Sequence, residues 1–288
     1  MKKILIIGAT GMAGHMIYKH LQEKNEFELT TACYRNKIDE KSYILDVREE
    51  KEVSGLIRYI KPDYIINCVG VLIKGSKDSI ENAIYINAYF PHMLERILHN
   101  TTGKLIHIST DCVFSGEKGQ YADNDPKDAL DTYGMTKNLG EVVNSKDITL
   151  RTSIIGPELK NNGEGLFHWI YSQKQKDSIQ GYEKSVWSGV TTLELAKAIY
   201  NILHTDISGL IQISNNESIT KHDLLCLIND TFNLGIQIQR VAGPVIDKSI
   251  ISSKLPALSY VVPAYVNMIH ELKVFMIRNK ELYTQYLG

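Results

Sequence analysis

Residues 4–7 form a short, unbroken apolar run, as expected of a strand buried on both faces of a parallel sheet. The chain then passes through glycines into a helical pattern reaching residue 21. Strand-like runs recur at 27–34, 42–47, 62–67, 103–111 and 149–156, with helical stretches at 49–60, 77–99 and 133–143 between them. Six strands with four helical stretches between them, joined by connections too long for hairpins, predict a doubly wound parallel α/β sheet rather than a barrel. After residue 156 the rhythm changes. A loop at 161–165 precedes helical patterns at 166–175, 192–204, 221–232 and 266–281, with strand-like runs at 210–213 and 236–241 and an irregular Gly/Ser/Trp stretch at 181–190. The expected organisation is a larger domain at 1–156 and a smaller α/β lobe at 157–288 that closes a cleft over a substrate, the two interleaving across a soft boundary.

Composition alters this picture little. The 288 residues are 43% hydrophobic and 23% charged, with a formal net charge of -1, ordinary for a globular protein and unlike a surface that tracks nucleic-acid phosphates. Cys33, Cys68, Cys112 and Cys226 show no metal-ligand spacing and predict reduced, structural thiols in a cytoplasmic protein. The N-terminal apolar run is too short for a signal peptide, and no run approaches a membrane span. No metal site is expected, and the oligomeric expectation is monomer or homodimer.

The turn after the first run reads Gly8-Ala-Thr-Gly11-Met-Ala-Gly14. Strand, glycine turn and helix form the context of a dinucleotide fingerprint: Gly8 makes the turn, Gly11 admits the pyrophosphate, and Gly14 brings helix close to sheet. The first domain is therefore expected to be an NAD(P)-binding Rossmann domain. Arg35, with Asn36 and Lys37, follows the second strand where an NAD enzyme commonly places an acid. Positive charge there fits a 2′-phosphate and favours NADPH, with NADH possible, while a solvated loop charge remains open. Asp46 either bonds the adenine amino group or caps the next helix. The expected cofactor set is Gly8, Thr10, Gly11, Met12, Gly14, Arg35, Asp46, Val47, Cys68, Val69, Gly70 and Asn87, joined by Tyr133 and Lys137; for Asn87, structural polar bonding is an equal alternative. The fifth strand ends in Ser109-Thr110-Asp111 at the edge where ligands bind, followed by a polar loop at 115–131 of a length suited to a flap.

Tyr133 and Lys137 stand four apart on a helical pattern and share a face. A nearby ammonium lowers a phenol's pKa, making Tyr133 a candidate general acid for an alkoxide formed by hydride transfer. Lys137 would also bind the nicotinamide ribose, and Thr110 would hold the carbonyl oxygen.

Gly8-x-x-Gly11-x-x-Gly14, Ser109-Thr-Asp-Cys-Val-Phe-Ser-Gly116, Tyr133-Gly-Met-Thr-Lys137 with Gly140-Glu141, and Leu150-Arg-Thr-Ser153 resemble the extended short-chain dehydrogenase/reductase family, in its dTDP-4-dehydrorhamnose reductase branch. The resemblance implies reduction of the 4-keto group of a nucleotide-linked 6-deoxyhexose by NAD(P)H in polysaccharide precursor synthesis, with Thr110, Tyr133 and Lys137 catalytic. It implies that Asp111, Cys112 and Arg151 to Ser153, including Thr152, lie near sugar or cofactor, and that Ser188, Gly189 and Val190 lie near the substrate nucleotide. Glu194 falls where some relatives have a metal-linked dimer contact, but partner carboxylates are not matched and no metal is carried over. Two positions depart from the branch: Cys112 stands for the usual Tyr and Ile154 for the usual Trp. A UDP-linked 2-acetamido-2,6-dideoxy-4-hexulose is thus a second candidate substrate. A nucleotide-sugar epimerase and a non-catalytic NAD(P)-binding regulatory subunit are the competing functions.

Overall fold

The computed structural model describes residues 1–255 and 260–287. Its centre is a sheet of seven strands: β1 (Lys2–Ile7), β2 (Phe27–Cys33), β3 (Tyr43–Ile44), β4 (Tyr64–Asn67), β5 (Lys104–Thr110), β6 (Ile148–Thr152) and β7 (Gly209–Gln212). They lie in the order β7-β6-β5-β4-β1-β2-β3, and every pairing is parallel. Chain direction across the sheet reverses between β1 and β4, and such a switch point opens a crevice at the strands' carboxyl ends.

The apolar run at the start of the chain supplies both faces of this sheet. Ile4 and Ile6 pack with Met16, Ile17 and Leu21 of the helix Met12–Lys24. Leu5 and Ile7, one residue out of phase, pack with Val53 and Ile57 of the helix Glu50–Ile60 and with Phe90 and Leu94. Each such side chain contributes about 1.5–3 kcal/mol on full burial, so the run is fixed in register by alternating contacts on opposite faces.

Four features differ from the sequence pattern. β7 comes from beyond residue 157 and pairs with β6, placing Gln212 beside Arg151. The helical stretch expected at 77–99 is broken into Ile73–Asp78, Ile80–Ala83, a π-helical turn Ile84–Tyr89 and Phe90–Leu98. The irregular stretch at 181–190 holds the strand Ser185–Trp187, which pairs with Ile219–Thr220 and Ile246–Asp247, and the strand Val190–Thr191, which runs beside Ile154–Ile155. The polar loop expected as a flap is tied down: Asp247 N–H donates to Gly116 O (2.8 Å), Tyr121 N–H to Ser249 O (2.7 Å), and Ile251 N–H to Tyr121 O (2.9 Å). These partners are distant in sequence, so local patterning carries no trace of them. Among the described residues, no helix is long and apolar enough to cross a membrane.

Candidate active site

The turn after β1 is shaped by contacts that only glycine permits. Gly8 adopts φ +85°, and a Cβ on Gly14 would stand 2.2 Å from the Gly8 carbonyl oxygen. The helix behind it starts from Gly11 with no side-chain cap, so its first amide groups remain available to an anion. This cradle fits the pyrophosphate of a dinucleotide. Thr10 lies against Cys33, and Met12 reaches across to Gly165, where a Cβ would meet its terminal methyl at 2.5 Å.

At the far edge, Arg35 stacks over the Tyr34 ring at 4.9 Å, and Arg48 approaches the same ring at 6.0 Å. Arg48 pairs with Asp46 at 2.6 Å, and hydrogen bonding to that guanidinium is the main reason the Asp46 carboxyl lies below its ordinary pKa. Asp46 does not cap the following helix, whose N-cap is Glu49 without a side-chain bond. Val47 is buried in the apolar layer beneath that helix.

Beyond β4, Cys68 N–H donates to Ile7 O (2.9 Å), and burial pushes the Cys68 thiol up to about 12, leaving it unreactive. Val69 and Gly70 continue into Val71, which Asn87 holds from both sides. Val71 N–H donates to Asn87 Oδ1 (2.8 Å), while Asn87 Nδ2 donates to Val71 O (3.0 Å) and Thr136 Oγ1 (3.2 Å). The Asn87 amide therefore clamps this loop to the Tyr133 helix, which is the structural alternative considered from sequence.

That helix, Thr132–Leu139, is capped by Asp131, whose Oδ1 accepts from Gly134 N–H at 3.0 Å. It stops before the expected residue 143. Gly140 sits against the π-turn so closely that a Cβ would lie 1.8 Å from Asn87 O, and Glu141 then turns into the interior. There Arg151 Nε and Nη2 donate to the two Glu141 oxygens (2.9 and 2.8 Å), Ser109 Oγ donates at 2.8 Å, and Lys127 Nζ stands at 3.1 Å. Arg151 Nη1 also donates to Gln212 (3.0 Å). Arg151, expected near sugar or cofactor, is thus committed to this internal network.

Thr110, at the end of β5, donates to Asp111 Oδ1 (3.1 Å) and accepts from Cys112 N–H (3.1 Å). Burial raises the Tyr133 phenol above its ordinary pKa; Cys112, Asp111 and Asp131 act in the same direction, and only the hydrogen bond with Thr110 opposes them. The net shift is upward, opposite to the lowering expected from the i, i+4 spacing. Lys137 Nζ donates to Ile108 O (2.7 Å), with His107 Nε2 at 3.3 Å. Burial lowers Lys137 to about 8, against the charges of Glu141 and Cys68.

The substrate candidates gather beside Thr110. Burial raises the Asp111 carboxyl, against the charge of Lys248 and hydrogen bonds from Thr110, Cys112 and Ser153. Burial likewise pushes the Cys112 thiol up to about 12. Trp187 Nε1 donates to Ser153 Oγ (2.9 Å), and Val190 N–H donates to Ser153 O (2.9 Å), which runs Ser188-Gly189-Val190 alongside Ser153. Thr152 Oγ1 is spent on Ile213 O (2.8 Å), and Ser188 Oγ accepts from Ile250 N–H (2.8 Å). Sequence reasoning missed Trp187, Lys248 and His107. Polar residues at 107, 109 and 111 alternate along a buried strand, a signal that could have disclosed His107. Lys248 reaches Asp111 only through the folding back of the 246–253 segment.

Glu194, considered for a metal-linked contact, is bonded to Tyr260 and to Lys197 Nζ. Among the described residues, no group of three or more His, Cys, Asp or Glu side chains is placed to hold a metal ion.

The sequence profile of the RmlD substrate binding domain matches residues 1–260. The chain belongs to this family. The family match spans every cleft residue described above, from Gly8 to Lys248. A crystal structure of a hypothetical dTDP-4-dehydrorhamnose reductase from Sulfolobus tokodaii is 27% identical, covering 88% of this chain and 94% of its own, with a TM-score of 0.78. The dTDP-4-dehydrorhamnose reductase of Bacillus anthracis, in complex with NADP, shares the fold with a TM-score of 0.82 at 20% identity, covering 95% of this chain and 99% of its own. Among curated proteins, methionine adenosyltransferase 2 subunit beta of Xenopus laevis is 26% identical over 81% of this chain and 73% of its own length. A probable low-salt glycan biosynthesis reductase of Haloferax volcanii is 23% identical, with 76% coverage of each chain.

Proposed function

We propose that the protein is an NAD(P)H-dependent reductase of the 4-keto group of a nucleotide-activated 6-deoxyhexose, dTDP-4-dehydrorhamnose or a related sugar, with NADPH preferred. The observation that supports this reading is that Tyr133 hydrogen-bonds with Thr110 at the end of β5, while Lys137, one turn on, donates to Ile108 O of the same strand, at the sheet edge that also bears the Gly8 turn. The NADP complex of the Bacillus anthracis relative and the reductase names of two other relatives support it.

Held at the turn of Gly8, Gly11 and Gly14, NAD(P)H would supply the hydride for the sugar's carbonyl carbon. Thr110 then steadies the oxygen on which charge develops, and Tyr133 delivers a proton to it. A phenol held above its ordinary pKa remains protonated at neutral pH, so the acid is present throughout the working range. Asp111, Ser153 and Lys248 would line the sugar side, where Cys112 and Ile154 stand in place of the aromatic residues usual in the branch. That difference keeps a UDP-linked 2-acetamido-2,6-dideoxy-4-hexulose as a candidate beside the dTDP sugar.

Incubation with NADPH and a panel of dTDP- and UDP-linked 4-keto-6-deoxy sugars is expected to consume NADPH with one panel member and yield its 4-hydroxy product. Intact NADPH binding with no turnover of any member would sink the reductase reading. It would favour the second reading, a non-catalytic subunit, which the likeness to methionine adenosyltransferase 2 subunit beta supports. Replacement of Arg35 by Asp is expected to shift the NADPH/NADH preference towards NADH by roughly 10- to 100-fold, the worth of one hydrogen bond to a charged group. An unchanged ratio of kcat/KM values for the two cofactors would move the 2′-phosphate away from Arg35.

A further inference from the structure

Lys137 meets its closest side-chain neighbour on β5. The β4–β5 register sets Asn67 beside His107, and both side chains are fully buried. Asn67 Oδ1 accepts from Val69 N–H (3.1 Å), which fixes the orientation of the amide. Its Nδ2 therefore donates to His107 Nδ1 (3.1 Å). A ring nitrogen that accepts carries no proton, so a neutral His107 holds its proton on Nε2. That N–H faces Lys137 Nζ at 3.3 Å.

An ammonium has three donors and no lone pair. Here it finds one acceptor, Ile108 O, and one opposing donor. A neutral amine suits the same place better: it donates to Ile108 O and accepts from His107 Nε2–H. We propose that His107, locked in the Nε2–H tautomer by Asn67, is a positioning residue that sets the protonation equilibrium of Lys137. The inference deepens the reductase reading and rests on it for its catalytic meaning. The imidazole N–H at 3.3 Å adds to the burial that already disfavours the Lys137 ammonium.

The surroundings agree. Burial lowers His107 well below its ordinary value, with Lys137 and His92 acting in the same direction, so the ring is neutral. The other charged or titratable groups that bear on Lys137 are Glu141, at the end of its own helix, and Cys68, beyond β4; both favour the ammonium. Tyr133 lies one turn back on the same helix. Burial lowers Lys137 to about 8 against these two neighbours.

The test is made on the full chain carrying labelled histidine and lysine, by nuclear magnetic resonance, and needs no turnover. Wild-type His107 is expected to show the Nε2–H tautomer across pH 6–9, and Lys137 to titrate near 8. Observation of the Nδ1–H tautomer in the wild type would overturn the proposal without any variant. Asn67→Asp keeps the acceptor for Val69 N–H but replaces the donor facing His107 with a second acceptor. The ring should switch to Nδ1–H, Nε2 should accept from Lys137, and the lysine titration should move upward by about one pH unit or more. The added charge alone would also raise it, so the same change is repeated with His107→Phe. Loss of most of the upward movement in the double variant supports action through the imidazole, and an undiminished movement overturns it. With an active panel substrate, the basic limb of kcat/KM should move upward by the same amount in Asn67→Asp. An inactive protein that keeps the predicted tautomer and titration would leave the inference standing and remove only the reductase reading.

Discussion

Replacing Tyr133 by Phe should lower kcat for sugar reduction about 10²- to 10⁴-fold, the usual contribution of a positioned general acid, while NADPH affinity stays nearly unchanged. The reason is local. The ring sits beside Thr110 and Asp111 on the helix Thr132–Leu139, and the substitution removes one oxygen without disturbing the Asp131 cap or the Asn87–Thr136 bond that seats the helix. The effect should appear equally in kcat and kcat/KM, because proton delivery is realised only in the transition state. Stopped-flow oxidation of NADPH, with cofactor affinity measured separately by fluorescence, checks both halves. A variant retaining most of its activity would require another acid, and Asp111, whose carboxyl is raised by burial, and Lys137 would then be the candidates.

Arg151→Met should destabilise the fold by about 3 kcal/mol, at the lower end of the cost of breaking a buried ion pair. The Arg151 and Glu141 side chains are 1% and 0% exposed, so losing the guanidinium strands a carboxylate in the interior. Lys127 at 3.1 Å offsets part of that loss. The double replacement Arg151→Met/Glu141→Met should recover much of it, because an apolar pair leaves no unpaired charge. Urea unfolding midpoints decide the matter. The pH dependence has a definite sign. Burial works to raise the Glu141 carboxyl, but hydrogen bonding and charge from Arg151 bring it below 4.5. A carboxyl with a lowered folded pKa contributes stability that is complete above its unfolded value and is lost as pH falls through the folded value. The wild type should therefore weaken more steeply than Arg151→Met on acidification below about pH 4.5.

The central sheet was legible because β1 and β4 carry short continuous apolar runs, the first of which leads into glycines. Gly8 and Gly14 carry their meaning in the sequence itself, since only a residue without Cβ fits those contacts. The placement of Thr110 and Tyr133 was legible from strand end and helix start. Residues that act through distant partners were not. Arg151 reads as a ligand for sugar or cofactor until Glu141 and Gln212 are found around its guanidinium. Asn87 stands in an apolar run for a reason that only the loop at Val71 reveals. Tyr133 and Lys137 share a helical face, yet the hydrogen bond of Lys137 to Ile108 O could not be read from their spacing. Spacing predicts which side chains can meet, and tertiary packing decides which of them do.

β7 has a consequence for how the molecule can be divided. The strand is encoded beyond residue 157 yet forms one edge of the sheet, and through Gln212 it also supplies a partner to Arg151. A polypeptide ending at 156 would expose the whole of β6 as an unpaired edge, an adhesive surface for other chains. Fragments 1–156 and 157–288 made separately should aggregate or remain unfolded, whereas the same fragments produced together should reassociate into a single cooperative unit.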